Sequence, residues 1–286
     1  MVEHTKRYYN SDIIGSLYGL SGAGLIGLMS GDQLHPPMIY DEEIWRDGNR
    51  WKEGAIKCCE RLASLAKING SSLVLDVGSG IGGPGRYLAH TFGCRVVGLN
   101  ISELQTKTAK RLTKETSLEN LVGLCLGDAE DLPFKDEAFS VVWTMNMFYH
   151  IQNKPKTLRE FYRVLKPNGI LAFDDWVITK DTKEEEHQKL KQIWQNPSFG
   201  TIEEYMSFME SIGFKVEDIV DVSNVGRELM PKHFEREFDR CFCPIIKKLL
   251  PEYGEELTEI LKRDIKFTIK LYQENKFGYF RLIARK

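Results

Sequence analysis

The sequence predicts an α/β fold built on a doubly wound parallel sheet, and three observations support this prediction. Five short apolar runs in the central part of the chain alternate with helical patterns, which is the order of repeated βαβ units. The runs are continuous rather than alternating in hydrophobicity, as in strands that are covered on both faces. A cluster of glycines follows the first run, at the strand end where such sheets bind ligands.

The predicted elements follow one another in a regular order. The five strands are Leu73–Val77, Arg95–Asn100, residues 121–127, Phe139–Met145 and residues 169–176, the last after a turn at 166–169. Ser102 is a predicted N-cap for the helix that follows the second strand. Leu158, Phe161, Tyr162 and Leu165 are spaced as one apolar face of a later helix. A helix at 201–212, a strand at 214–222 and a final strand from Gly278 complete the prediction.

Two segments fall outside this alternating pattern. Residues 1–53 are predicted to form an N-terminal flap over the core. Residues 231–275 are mostly helical in pattern and far longer than an ordinary connection, so they are predicted to form a helical cap inserted before the last strand. The core then comprises residues 54–230, completed by a final strand at 276–286.

Composition limits the classes of partner and compartment. The chain has 286 residues, 42% of them hydrophobic, with 39 basic and 41 acidic side chains, and no basic stripe indicates a nucleic-acid surface. The apolar stretch at 19–29 is too short and too rich in glycine for a signal peptide or a membrane span. Six cysteines without a C-x-x-C spacing predict buried thiols, no metal site and a cytoplasmic location. A homo-oligomer is left open.

The segment VLDVGSGIGGPGRYLA, residues 74–89, predicts a cofactor site. Its Gly78-x-Gly80-x-x-Gly83 spacing allows positive φ and removes side chains that would block a ligand, although a ligand-free turn is the simpler alternative. Asn100 lies 22 residues after Gly78, at the end of the second strand. Its amide can both donate to and accept from a ribose diol, so this position leaves a nicotinamide cofactor open.

Four segments in order, VLDVGSGIGG, GLNISELQ, GDAEDLPF and FYRVLKPNG, resemble class I S-adenosylmethionine-dependent methyltransferases over residues 55–178. The resemblance implies a Rossmann-like sheet of seven strands, S-adenosyl-L-methionine as the cofactor and methyl transfer to a small molecule. A nicotinamide-dependent oxidoreductase would not be expected to carry the last two segments. A non-catalytic scaffold would be expected to have lost cofactor residues such as Gly78, Gly80 and Asp128.

The resemblance also implies a role for each cofactor residue. Asp76 would orient the loop and the amino group of the cofactor, while Gly78 and Gly80 would leave room beside its methionine part. Asn100, with Gln105 nearby, would bind the ribose. The adenine would contact Ile101, Asp128 and Ala129. Met145 or Asn146 would line the sulfonium. For Asp76 and Asp128 the alternative is capping or a loop hydrogen bond.

Residues for the methyl acceptor are predicted on three segments. FYHIQ is similar to a segment of phosphoethanolamine N-methyltransferases whose histidine lies beside the substrate amine, which implies that His150 is a general base. In FDDW, strand alternation sends Asp174 and Asp175 to opposite faces, so one of them faces the pocket. A carboxylate beside Trp176 would suit a cationic amine, and Asp175 is predicted to act in catalysis with Trp176 in contact with substrate. A capped loop and a core tryptophan are the alternative.

Tyr8 and Tyr9 resemble the lid of sarcosine/dimethylglycine N-methyltransferases, in which Tyr9 would act in catalysis and Tyr8 would contact substrate. Two aromatics packed on the surface are the alternative. The IWGG-D-H-G pattern of that family is not found, so the substrate flap is expected to differ. His233, in the predicted cap, is a further candidate for substrate contact.

The predicted function is N-methylation of a small amine such as a glycine derivative. C-methylation of a prenyl diphosphate or an aromatic acceptor is the alternative, with O-methylation after it. A diphosphate would need several cations in the cap, whereas its basic residues are interleaved with acidic ones, as on a solvated helix face.

Overall fold

A computed structural model describes residues 51–193, 198–223, 227 and 254–286. Nearly all of the predicted flap and the first part of the predicted cap lie outside these residues. The proposed division of the chain into flap, core and cap therefore stays a prediction.

The described chain alternates helices and strands as the sequence predicts. The helices are α1 Trp51–Leu65, α2 Gly83–Phe92, α3 Glu103–Glu115, α4 Lys154–Val164, α5 Glu184–Ile193, α6 Ile202–Ile212 and α7 Gly254–Gln273, with a 3₁₀ turn at Phe148–His150. The strands are β1 Leu73–Val77, β2 Arg95–Asn100, β3 Val122–Leu126, β4 Phe139–Met145, β5 Leu165–Ile178, β6 Lys215–Asp221 and β7 Phe277–Arg285.

The strands form one sheet of seven in the order β3-β2-β1-β4-β5-β7-β6. Strands β1 to β5 pair in parallel, which confirms the doubly wound core. Strand β7 runs antiparallel to both β5 and β6. Strand β6 is thus parallel to β5, and its carboxyl end lies at the same edge as those of β1 to β5.

Both faces of the sheet are covered. One apolar layer joins Val74, Trp143 and Ala172 with Leu62 of α1. The other layer joins Leu75, Val142 and Leu171 with Phe161 of α4. This burial on two sides explains the continuous apolar runs in the sequence.

Local signals set several boundaries. The Ser102 hydroxyl accepts a hydrogen bond from the Gln105 amide at 3.2 Å, which confirms the predicted N-cap of α3. Residues 166–169 are a correction, because they lie inside β5 rather than in a turn before it. Asn168 has a φ of 62°, and its amide donates to the Lys286 carbonyl at 3.1 Å. The end of the β7 strand therefore holds this irregular stretch within the sheet.

Candidate active site

The glycine loop between β1 and α2 adopts the left-handed backbone that its sequence predicts. Gly78, Gly80 and Gly82 have φ values of 74°, 54° and 79°. The Gly78 and Ser79 amides both donate to the Leu99 carbonyl, at 2.8 and 3.1 Å, which ties the loop to the end of β2. A Cβ atom on Gly78 would lie 2.2 Å from Cγ of Met147. Glycine at position 78 is therefore needed for the close approach of Met147 as well as for its φ.

Asp76 lies at the carboxyl end of β1, directly before this loop, and is only 3% exposed. Its Oδ2 atom has no hydrogen-bond partner among the described residues. Burial raises the pKa of this carboxyl to about 7. A buried acceptor of this kind is suited to an N–H donor from a ligand, since leaving it unbonded costs free energy.

Asn100 joins the glycine loop to α3. Its Nδ2 donates to the Gly80 carbonyl at 3.2 Å and to Oε1 of Gln105 at 2.7 Å. Both amide hydrogens of Asn100 are thus directed at protein acceptors. The Nε2 atom of Gln105 is buried and has no hydrogen-bond partner among the described residues, so it is the donor that this pair leaves for a ligand.

The adenine residues implied by the resemblance lie at the adjoining strand ends. Leu126, at the end of β3, pairs with Asn100 of β2, and Asp128 follows two residues later. Oδ1 of Asp128 accepts from the Glu130 amide at 2.9 Å, so the loop hydrogen bond of the alternative interpretation is present. Ala129 is buried and Ile101 is half-buried. The structure brings these residues to the same sheet edge as the glycine loop.

The chain turns sharply where β4 ends. Met145 is buried, and Asn146 has a left-handed φ of 52°. The Asn146 amide donates to the Asp174 carbonyl at 2.9 Å, while its side-chain Oδ1 is buried without a hydrogen-bond partner among the described residues. Strained backbone of this kind is common at functional sites, and here it directs the chain toward Gly78.

The two carboxylates of β5 point to opposite faces of the sheet, as strand alternation predicts. Asp174 is buried and paired with Arg281 of β7, at 2.9 Å between its Oδ2 and Nη2 of the guanidinium. Asp175 is buried on the other face, where burial raises its pKa to about 7. Its Oδ2 accepts from the Met147 and Phe148 amides at 3.1 and 2.5 Å.

His150 ends the 3₁₀ turn that follows Asn146. Loss of water around the ring, together with the positive charge of Lys154, lowers the pKa of His150 to about 3. The imidazole is thus neutral near pH 7, with one nitrogen able to accept a hydrogen bond. Its ring also packs on Tyr149, with 4.1 Å between centroids.

Trp176 lies in an aromatic cluster. Its side chain is 1% exposed and stacks on Phe277 at 5.0 Å between centroids with 3° between the ring planes. Tyr279 meets it edge-on at 5.0 Å. This arrangement favours the core alternative over contact with a substrate. Tyr8, Tyr9 and His233 lie outside the described residues, so their roles stay predictions.

Sequence reasoning missed two residues of this region, Met147 and Lys154. Met147 contacts Gly78, and the signal for it was an apolar side chain two positions beyond the end of β4. Lys154 is only 5% exposed, and its pKa is lowered to about 8 chiefly by burial. Its sequence context gave no signal, because a lysine before a proline at a helix start is ordinarily a solvated residue.

Two further features of the described residues concern metals and membranes. Within the described ranges no group of three or more His, Cys, Asp or Glu side chains is placed to hold a metal ion. None of the helices in the described part of the chain is long and apolar enough to cross a membrane.

Comparison with known proteins identifies the class. A methyltransferase domain model matches residues 75–173. The sarcosine/dimethylglycine N-methyltransferase of Halorhodospira halochloris is 30% identical over 285 residues, which span 98% of this chain and 96% of that protein. The glycine/sarcosine/dimethylglycine N-methyltransferase of Actinopolyspora halophila is 30% identical over 82% of this chain and 39% of that protein.

A solved structure of a proposed sarcosine dimethylglycine methyltransferase from Galdieria sulphuraria shares the fold. It superposes with a TM-score of 0.81 at 22% identity, covering 98% of both chains. The fold, the glycine loop and the full-length relative together define a methyltransferase. The chain belongs to the class I S-adenosylmethionine-dependent methyltransferases, and the resemblance seen in the sequence is confirmed.

The residues at the sheet edge fit S-adenosylmethionine, which is the cofactor of this enzyme. Asp76 offers an unbonded acceptor and Gln105 an unbonded donor, both buried. Between them lie Gly78 and Gly80, which carry no side chains of their own. The assignment of individual residues to parts of the cofactor stays a prediction.

Proposed function

We propose that this enzyme methylates the nitrogen of a small amine, and that its acceptor is a glycine derivative of the sarcosine or dimethylglycine type. The observation that carries the proposal is the similarity to the Halorhodospira halochloris sarcosine/dimethylglycine N-methyltransferase over nearly the full length of both chains. The balanced charge of the chain, 39 basic against 41 acidic residues, also suits a small molecule better than nucleic acid. A cytoplasmic location and a homo-oligomer stay predictions.

The cofactor supplies an electrophilic methyl group on its sulfonium. The chain then has to hold the cofactor, align an amine with the methyl group and exclude water, so positioning accounts for much of the rate. Asp76 and Gln105 would hold the polar ends of the cofactor through their unbonded atoms. The turn at Asn146 would bring the end of β4 next to the methyl group.

The role proposed for His150 follows from its place at the end of the short turn whose Met147 contacts Gly78. An imidazole with a pKa of about 3 is a poor acceptor for a whole proton near pH 7, yet it accepts a hydrogen bond well. We therefore assign His150 to aligning the neutral amine of glycine or sarcosine through one N–H group, leaving its lone pair toward the methyl group. The neutral nitrogen of dimethylglycine carries no N–H and gains nothing from this contact. His150→Ala is expected to lower kcat with little change in cofactor affinity.

The experiment is S-adenosylhomocysteine formation by purified enzyme with a panel of acceptors. The panel contains glycine, sarcosine, dimethylglycine, phosphoethanolamine and geranyl diphosphate, the last with and without Mg²⁺. Turnover with the glycine derivatives alone supports the proposal. Turnover only with geranyl diphosphate overturns it in favour of C-methylation, and turnover only with phosphoethanolamine keeps N-methylation but rejects the glycine derivative.

A further inference from the structure

The segment from Asn146 to Ile151, which links β4 to α4, is held by two buried charged side chains. Asp175 of β5 contacts amides at the start of the segment. Lys154 of α4 contacts a carbonyl at its end. The segment carries both Met147, which touches the glycine loop, and His150. Its position therefore decides how these two side chains lie relative to the cofactor loop.

The Asp175 carboxylate is directed at backbone donors. Its Oδ2 accepts from the Met147 amide at 3.1 Å and the Phe148 amide at 2.5 Å. Its Oδ1 accepts from the Trp176 amide at 2.7 Å. These three N–H bonds favour the ionised carboxylate, against the burial that raises its pKa. The bonds from Met147 and Phe148 fix the direction in which the chain leaves Asn146. Asp175 thus acts on the segment rather than on a substrate.

Lys154 secures the other end. Its Nζ donates to the Ile151 carbonyl at 2.7 Å and also to the Ser198 carbonyl. The ammonium lies 5.4 Å from the ring centroid of Phe148 and 5.5 Å from that of Tyr205. A buried ammonium is costly unless it is bonded, so these contacts compensate for placing the charge here.

Hydrogen bonds within the segment connect its start, which Asp175 contacts, to its end, which Lys154 contacts. The His150 amide donates to the Met147 carbonyl at 2.9 Å, and the Ile151 amide to the Phe148 carbonyl at 3.0 Å. The Phe148 ring packs edge-on against Phe173 at 5.2 Å between centroids. Hydrogen bonds therefore connect the short turn between the residues that Asp175 and Lys154 contact.

We propose that Asp175 and Lys154 form a two-point clamp that positions residues 146–151 against the glycine loop for methyl transfer. Neither is a catalytic residue in this role; both are positioning residues that act through Met147 and His150. The proposal rests on methyl transfer at this site, but it does not depend on which amine is the acceptor.

The test uses Asp175→Asn, Lys154→Met and the double variant. We expect each single variant to lower kcat by about 10- to 100-fold, because small displacements of aligned groups are costly in rate. The dissociation constant for S-adenosylmethionine, measured by calorimetry, should change by about 3-fold or less. Because the two side chains hold one segment, the double variant should lose little more than the worse single variant.

Thr157→Val is the matched control in α4. Thr157 is buried one turn from Lys154, and its hydroxyl has no hydrogen-bond partner among the described residues. The substitution keeps the shape of the side chain, so kcat and folding should match the parent enzyme.

Amide hydrogen exchange tests the clamp without any acceptor. In Asp175→Asn, the amides of Met147 and Phe148 should exchange faster, while those of β1 and β7 keep their rates. Unchanged exchange at the two amides would overturn the proposal, as would a kcat within 2-fold of the parent for both single variants. Faster exchange throughout the sheet would also overturn it, since Asp175 would then serve global stability. If no glycine derivative in the acceptor panel is methylated, the proposed amine substrate is wrong. The hydrogen-exchange rates of Met147 and Phe148 still test the clamp in that case.

Discussion

Asp76 combines a buried carboxyl group with an oxygen atom that no described residue satisfies. Burial raises its pKa from 3.8 to about 7, so the folded protein holds this proton more tightly than the unfolded chain does. Ionisation of Asp76 therefore costs folding free energy, and stability is lost as the pH rises from about 4 to 7. The charged form is nevertheless the one that best accepts an N–H bond from the cofactor.

Asp76→Asn should separate these two effects. At pH 8 the variant without cofactor should be more stable than the parent by about 1 to 3 kcal/mol, because it has no charge to bury. At pH 4 the difference should largely vanish. Cofactor affinity should fall by about 10-fold or more, since a charge-assisted bond is lost. Denaturant unfolding at the two pH values and calorimetry measure both; equal stability at pH 8 would contradict the argument.

Two glycines with similar backbone angles separate the cost of a left-handed backbone from the cost of a steric clash at the Cβ position. Gly78 and Gly93 have φ values of 74° and 67°, but a Cβ on Gly93 would meet no atom within 4 Å. Gly93→Ala should cost about 1 kcal/mol from the left-handed backbone alone, with normal cofactor binding. Gly78→Ala should cost more and abolish cofactor binding, because Met147 has to move. Thermal unfolding and calorimetry on both variants test this, and equal behaviour of the two would exclude the Met147 contact as the cause.

The sequence predicts that a cofactor site lies at this strand end better than it predicts which side chains pack around it. The glycines could be located from their spacing, because the left-handed loop requires glycine, and Asn100 from its distance to Gly78. The role of Asp76 came from the resemblance to the family. Met147 and Lys154 could not be located, because their burial depends on contacts with Gly78 and Ser198 that are distant in the sequence.

At the scale of single elements, β7 carries two arginine pairs that differ in burial. Arg281 and Asp174 are almost fully buried, whereas the side chains of Arg285 and Glu217 are 25% and 30% exposed. The pair at Arg285 is close, at 2.6 Å, yet water screens it. Distance alone is therefore a poor guide to what each pair contributes.

Arg281→Met should destabilise the enzyme by about 3 to 5 kcal/mol, because it leaves Asp174 buried without its cation. Arg285→Met on the same strand should cost about 1 kcal/mol or less. Adding Asp174→Asn to Arg281→Met should recover part of the loss by removing the uncompensated charge. Urea unfolding of the three variants measures this, and equal costs for the two arginines would refute it.

The strands themselves were largely predictable, since their apolar runs are continuous and bounded by polar turns. The direction of β7 was not, because hydrophobic pattern carries no information about strand polarity. The prediction of a turn at 166–169 was wrong because these residues lie inside β5. The Pro, Asn and Gly at these positions are turn residues, but hydrogen bonds from the end of β7 keep them in the sheet.

For the whole molecule, cofactor binding should appear as added stability. S-adenosylhomocysteine at 100 times its dissociation constant should raise the unfolding free energy by about 2.7 kcal/mol. NADH at the same concentration is the control and should have no effect, because the chain is a methyltransferase rather than a nicotinamide-dependent oxidoreductase. Thermal unfolding with each ligand decides this; stabilisation by NADH alone would contradict the cofactor assignment.

The position of β7 has a consequence for how the chain is made. This strand lies between β5 and β6 in the sheet, although it follows both in the sequence. During synthesis on the ribosome, β5 thus has an open edge and β6 has no neighbour until Phe277–Arg285 emerges. A nascent or shortened chain that stops before Phe277 exposes a long apolar strand edge of the kind that invites aggregation. A chaperone that covers the β5 edge until β7 emerges would therefore raise the yield of active enzyme in the cell.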